Sequence, residues 1–442
     1  MGGAIVWKWP FRGTILGSCR PLVPSSLRPV SPRWKGLLAA LSLALAGFIW
    51  LSGLVDSLSR PSVAPALSLQ QQELTVLAEP AVPLPLREAL LGDAPRDALL
   101  KALEGIASEE RSERQQQMLA LLQGMAPGSI DQAAAPEDHL LQQLQCEAGA
   151  SDPSLCIDAA AADKAALRLA FSTVLPLFTA MLGGLLLLGQ AWRLLRGRLM
   201  AWPEVQGPDL TLIDMALLVA GSFVVISALG VPLVAFPLVG ALTAGLGSPR
   251  REAVGVVINY GVMALPSLLI LWRQVRSLPQ ERAPQGGWMQ WRVRPLFSAL
   301  RDAVAGWLMV TPLVMLTGWL LLRLVGDPGG SNPLLELVLG SRDPLALGLL
   351  SLTAVVLAPL FEETIFRGAL LPVLVARLGP LPGVLLSGLL FAMAHISVGE
   401  LAPLTVLGVG LGLVRLRSGR LWPSVLMHGL WNAVTFLNLL LL

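Results

Sequence analysis

Apolar residues run together along this sequence. Stretches such as Gly36 to Leu58, Phe171 to Trp192, Leu212 to Ala244, Val254 to Trp272 and Ala303 to Leu324 hold few charges or none. A helix needs roughly 20 mostly apolar residues to cross a hydrocarbon core of about 30 Å, and these runs are of that length. With the apolar segments after Pro344, the pattern predicts an all-α fold: a polytopic transmembrane helix bundle of about eight or nine spans. One region breaks the pattern. From Arg60 to Asp163 the chain turns polar and acidic. Within it, REALLGDAPRDALLKALEGI and ERQQQMLALLQGM place apolar residues at helical spacing, punctuated by Pro and Gly, which predicts a small helical soluble insertion.

Composition agrees: of 442 residues, 54% are hydrophobic and 14% charged, too apolar for a soluble globule. The sequence divides into a basic leader at 1–35, a first span at 36–58, the insertion at 59–163, and further spans at 164–275. A polar cytoplasmic linker at 276–300 and a final bundle at 301–442 complete it. The net charge of +3 says little, but its distribution is informative. Lys8, Arg12, Arg20, Arg28, Arg33 and Lys35 precede the first span without an acidic residue, which predicts a cytoplasmic N-terminus. Arg193, Arg196 and Arg198, then Arg273 and Arg276, fall on the leader's side, so the insertion is expected on the non-cytoplasmic side. A cleaved signal peptide, with a small-residue site at Ala64-Pro65-Ala66, and an organelle transit peptide are the competing readings of the leader. Cys146 and Cys156 flank a turn-rich stretch of the insertion and are a disulfide candidate, whereas Cys19 is expected to stay reduced. His139 lies in a polar stretch and is expected to be solvated.

Three motifs carry the candidate chemistry. FEETIFRG, Phe361 to Gly368, puts adjacent carboxylates and a guanidinium between apolar runs. Helical spacing lets Glu363 pair with Arg367, while Glu362 faces elsewhere, an unpaired carboxylate that is costly in or near a bilayer. The bland alternative is a turn among the headgroups. GVLLSGLLFAMAHI ends on His395, four residues after Phe391 and on its face. Alone, such a histidine is usually a hydrogen-bonded core residue. The last apolar segment holds His428 and Asn432 one turn apart, alternatively explained as a helix-packing contact.

Read in order, EExxxR, FxxxH and HxxxN resemble the CPBP family, the CaaX-protease and bacteriocin-processing intramembrane proteases. The resemblance covers residues 343–441 and extends to Pro359, Gly368 and SGRLWPSVLMH. It implies an intramembrane endopeptidase in which Glu362 and His395 activate water and His428 and Asn432 stabilise the oxyanion. Glu363, Arg367 and Phe391 would support them. Zinc is a possible cofactor, with Glu362, His395 and His428 as ligands, and a metal-free, glutamate-dependent mechanism uses the same atoms. The expected partners are the lipid bilayer and a membrane-associated protein or peptide substrate, prenylated or not. A further extracytoplasmic partner through residues 61–162 is a hypothesis, and no nucleic acid is expected. The expected location is a prokaryotic plasma membrane or an internal, thylakoid-like membrane, crossed several times.

A non-hydrolytic membrane scaffold, chaperone or immunity-type protein is the alternative, with a transporter third. The complete trio and the lack of an internal repeat favour the protease. Ser424 could hydrogen-bond His428, but no nucleophile-elbow sequence surrounds it. Straight helices would set Glu362 and His395 at different depths. Tilt, a later helix start or a kink at Pro359 is expected to close that gap.

Overall fold

The computed structural model describes residues 32–60, 62–125, 138–198, 202–327, 329–330 and 333–442. Lys8, Arg12, Arg20, Arg28 and Cys19 lie outside the described residues, as does the stretch 126–137 of the insertion. Every regular element among the described residues is helical. Among the described residues, eight helices are long and apolar enough to cross a membrane: Arg33–Ser57, Ala159–Leu195, Leu212–Leu242, Arg250–Arg276, Leu296–Leu324, Pro344–Leu378, Val398–Ser418 and Trp422–Leu441. A ninth apolar helix, Pro380–Met393, has only 14 residues. Several helices begin before their apolar runs, at Ala159, Arg250 and Leu296, because backbone hydrogen bonding continues into polar flanks beyond the hydrocarbon.

Two compact units result. The first holds the described residues up to Ser62 together with Thr179–Phe436. Its core is aromatic and aliphatic. Phe223 packs against Phe361 (5.6 Å between ring centroids) and Phe366 (6.0 Å), and Phe366 packs edge-on against Phe391 (5.6 Å). Small residues set the closest approach in this unit. A Cβ on Gly408 would lie 2.8 Å from Cα of Gly388, so Pro380–Met393 and Val398–Ser418 touch backbone to backbone there.

The helix Pro344–Leu378 starts on Asp343, whose carboxylate accepts from the backbone N–H groups of Leu345 and Ala346 and pairs with Arg250 at 2.8 Å. The backbone N–H of Ala346 above all, with Arg250 and Leu345, holds the Asp343 carboxyl below its ordinary range against the opposing effect of burial. Pro359 has no N–H to give the carbonyl four residues back. Wide π turns frame it, at Leu352–Leu357 before and Thr364–Leu370 after, so the helix is re-phased through the motif without being broken.

The second unit holds Val63–Phe178 and Leu437–Leu442. Helices Ala64–Ala78, Pro95–Glu104, Glu113–Leu122 and His139–Gly149 bury Leu69, Leu99, Leu103, Met118 and Leu140 in one core, and Leu84–Leu91 joins a second through Leu91. Glu113–Leu122 begins with a reciprocal cap between Ser112 and Gln115. The unit runs past the Asp163 boundary because Ala165 and Leu169, in the first turns of Ala159–Leu195, pack with Leu74, Val82 and Leu91. Arg114 holds Glu73 through both carboxylate oxygens (2.9 and 2.8 Å) and also Asp138, while Arg96 holds Glu147 at 2.6 Å. A disulfide joins Cys146 to Cys156 across 5.6 Å between Cα atoms. His139 is half-exposed, with Nδ1 3.6 Å from Asp158.

Candidate active site

The i, i+4 spacing of Glu363 and Arg367 survives the wide turn that begins at Thr364, and their side chains meet at 2.8 Å with neither exposed. Burying two charges is costly, and further partners must offset that cost. Arg367 gives a second N–H to the carbonyl of Gly408 at 2.9 Å, which the glycine contact of the two backbones brings within reach. Its guanidinium also lies over the Phe391 ring, 4.4 Å from the centroid. Glu363 Oε1 accepts a further bond, from Nδ1–H of His428 at 3.0 Å.

That last bond orients the imidazole. With Nδ1 engaged by Glu363, Nε2 of His428 faces Oε2 of Glu362 at 3.9 Å. Oε2 is buried and accepts no hydrogen bond. Oε1 of Glu362 accepts from the hydroxyl of Tyr260 at 3.3 Å, and the Tyr260 ring stands edge-on to Phe361, 5.9 Å away. The two adjacent glutamates therefore converge on one imidazole from the same helix. Glu362 does not pair with Arg367, and it approaches His428 from the regular α-helical segment Ala358–Glu363.

Two candidates stand elsewhere. No hydrogen bond or ion pair joins His395 to Glu362 among the described residues. His395 lies in the turn after the short helix, and its Nδ1–H donates to the carbonyl of Phe391 at 2.9 Å. Phe391 connects it to the cluster, with centroids 4.9 Å from the His395 ring and 5.6 Å from that of His428. The next residue, Ile396, has φ 50°, a left-handed conformation costly for a β-branched side chain. It is held there by Arg60, which donates to its carbonyl at 2.5 Å.

Asn432 turns to the backbone instead of the cluster. Its Nδ2 donates to the carbonyl of Ala354 at 2.7 Å, inside the wide turn before Pro359. Gly429, one turn earlier on the same helix, lets that helix press on the neighbouring carbonyl, since a Cβ there would come 3.0 Å from Val355 O. The bond from Asn432 uses one of the two N–H groups on Nδ2 and joins the helix to its neighbour. Ser424 also looks away from His428: its hydroxyl donates to the carbonyl of Leu411 at 3.1 Å.

Among the described residues, no three His, Cys, Asp or Glu side chains are grouped closely enough to hold a metal ion. The zinc set Glu362, His395 and His428 is therefore not assembled in this arrangement. Tyr260 is the site residue that the motifs missed. It sits on Arg250–Arg276, far from them in sequence, and a single polar residue in an apolar run carries no spacing signal.

Comparison with known proteins bears on this segment. Residues 344–434 match the family described as Type II CAAX prenyl endopeptidase Rce1-like. Residues 64–136, in the insertion, match a domain of unknown function, DUF8675. A 140-residue stretch is 33% identical to an uncharacterized 24.3 kDa protein of Escherichia coli, covering 30% of this chain. The chain spans 64% of the length of that relative. No solved structure matches the chain.

Proposed function

We propose that the segment matching the Rce1-like family is an intramembrane endopeptidase, cleaving a peptide bond of a membrane-associated protein or peptide. The observation that carries this reading is the facing pair formed by the unpartnered Oε2 of Glu362 and Nε2 of His428, 3.9 Å apart. At that spacing one water molecule can hydrogen-bond to both.

Amide hydrolysis needs an activated water, stabilisation of the oxyanion and a proton for the leaving amine. Glu362 takes a proton from the water, whose oxygen bonds to the substrate carbonyl carbon as the C=O electron pair moves to oxygen. Glu363, hydrogen-bonded to Nδ1–H of His428, balances positive charge on that ring. A protonated Nε2 then donates to the oxyanion. When the C–N bond breaks, the proton held by Glu362 passes to the amine, leaving a carboxylic acid and the free carboxylate of Glu362. Tyr260 holds Oε1, which turns Oε2 toward His428. His395 would act from the wall of the site, with Phe391 between it and His428. No step is routed through a metal.

The test is cleavage by the detergent-purified full chain of a peptide library containing prenylated and unprenylated CaaX sequences. Glu362→Gln is expected to lower kcat by ~10²–10⁴-fold, the usual contribution of a general base. Cleavage that persists in Glu362→Gln at the wild-type rate sinks the assignment. Dependence of kcat/KM on the prenyl group decides the substrate class.

A further inference from the structure

A second site lies on the helix that carries Tyr260, at its other face. Near its start, Arg251, Glu252 and Asn259 border a cavity of about 420 Å³ whose apolar walls include Phe236, Val239 and Leu337. Glu252 and Asn259 are seven residues apart, two helical turns, and so share one face. Oε2 of Glu252 and Oδ1 of Asn259 are both buried, and neither receives a hydrogen bond. Glu252 lies in the first turn of Arg250–Arg276, in the polar flank of that helix, and a buried acceptor oxygen left without a donor there still costs free energy until a ligand supplies one.

The chemistry of the missing partner follows from the atoms. Both orphans are acceptors, so the complementary group is a donor with several N–H bonds. A primary ammonium, with three donors and a positive charge, serves both at once. The exposed Arg251 adds a guanidinium at the same cavity, suited to a phosphate. Leu229, Leu233 and Phe236 on the neighbouring helix are exposed apolar surface that acyl chains can cover. We propose that this cavity binds the headgroup of a zwitterionic phospholipid bearing a primary ammonium: Glu252 and Asn259 take the ammonium, and Arg251 takes the phosphate. A peptide lysine matches the acceptors but offers neither phosphate nor chains. A quaternary ammonium headgroup has the charge without N–H donors. The proposal stands independently of any proteolysis.

The experiment uses the purified full chain in detergent, exposed to equal amounts of phosphatidylethanolamine and phosphatidylcholine with identical acyl chains. Retained lipid is read by native mass spectrometry. Wild type is expected to favour phosphatidylethanolamine by ~10-fold, the scale of one charge-assisted hydrogen bond. Glu252→Gln is expected to reduce that preference severalfold. Arg251→Ala is expected to weaken retention of both lipids while keeping their ratio. Equal retention by wild type overturns the proposal, as does a preference unchanged in Glu252→Gln, or a lysine peptide displacing the lipid while phosphate-free lipids bind equally well. Should Glu252→Gln fail to fold by thermal melting, Asn259→Leu carries the same comparison.

Discussion

Each unit contains an arginine gripping a histidine-adjacent or cap-forming carboxylate, and the two are built to different specifications. In the insertion, Arg114 is 40% exposed and spends its N–H groups on Glu73 and Asp138 in near-ideal forks. In the bundle, Arg367 is fully buried, one N–H of its guanidinium is unpartnered, and Glu363 Oε2 and Glu362 Oε2 are unpartnered as well. The saturated cluster closes a surface. The unsaturated one keeps acceptors in reserve beside an imidazole, at a cost in stability that a purely structural cluster would not carry.

The sharpest way to break this comparison is to remove each arginine in turn. Arg367→Met leaves the buried Glu363 with only His428 as partner and is expected to cost ~3 kcal/mol, whereas Arg114→Met costs about 1 kcal/mol or less. Thermal melting of the purified chain measures both, and equal losses would erase the distinction. A finer probe is Tyr260→Phe, which frees Oε1 of Glu362 but keeps the ring packed on Phe361. It is expected to lower kcat ~10-fold with KM little changed, since one hydrogen bond to a charged group is lost. A change in KM alone would make Tyr260 a packing residue.

The smallest effect separates the units by pH. Burial opposes ionisation of Asp138 and Glu147, but bonds from Arg114 and from Arg96 and Gln143 outweigh it and hold both carboxyls below their ordinary values. A carboxyl depressed in the folded state contributes stability above its unfolded value of about 4 and loses it as pH falls through the folded value. Amide protection factors in 64–125 and 138–149, taken relative to the slower intrinsic exchange in acid, are therefore expected to fall as pH drops below about 4. Protection that is flat with pH in those helices would show that the ion pairs contribute nothing.

Much of this was legible in residues alone, and what escaped notice escaped for physical reasons. The apolar runs mark the helices because a bilayer imposes their length, and the Glu363–Arg367 pairing is written in a four-residue spacing. The approach of Glu362 to His428 is carried by the family resemblance and by no spacing, because the two residues lie on different helices, Pro344–Leu378 and Trp422–Leu441. The target of Asn432 was equally hidden: it is a main-chain carbonyl, and carbonyls have no letter in the sequence. The His395 turn could not be read either, since a β-branched residue gives no sign of the left-handed backbone that Ile396 adopts, and its carbonyl's partner, Arg60, is distant in sequence.

The phenol that touches Glu362 belongs to the only tyrosine in all 442 residues. That single phenol is a background-free reporter at the Glu362 carboxylate. A ring-fluorinated tyrosine incorporated throughout the protein would yield one fluorine resonance, and that single line would follow the charge on Glu362 as pH is varied or a peptide is added.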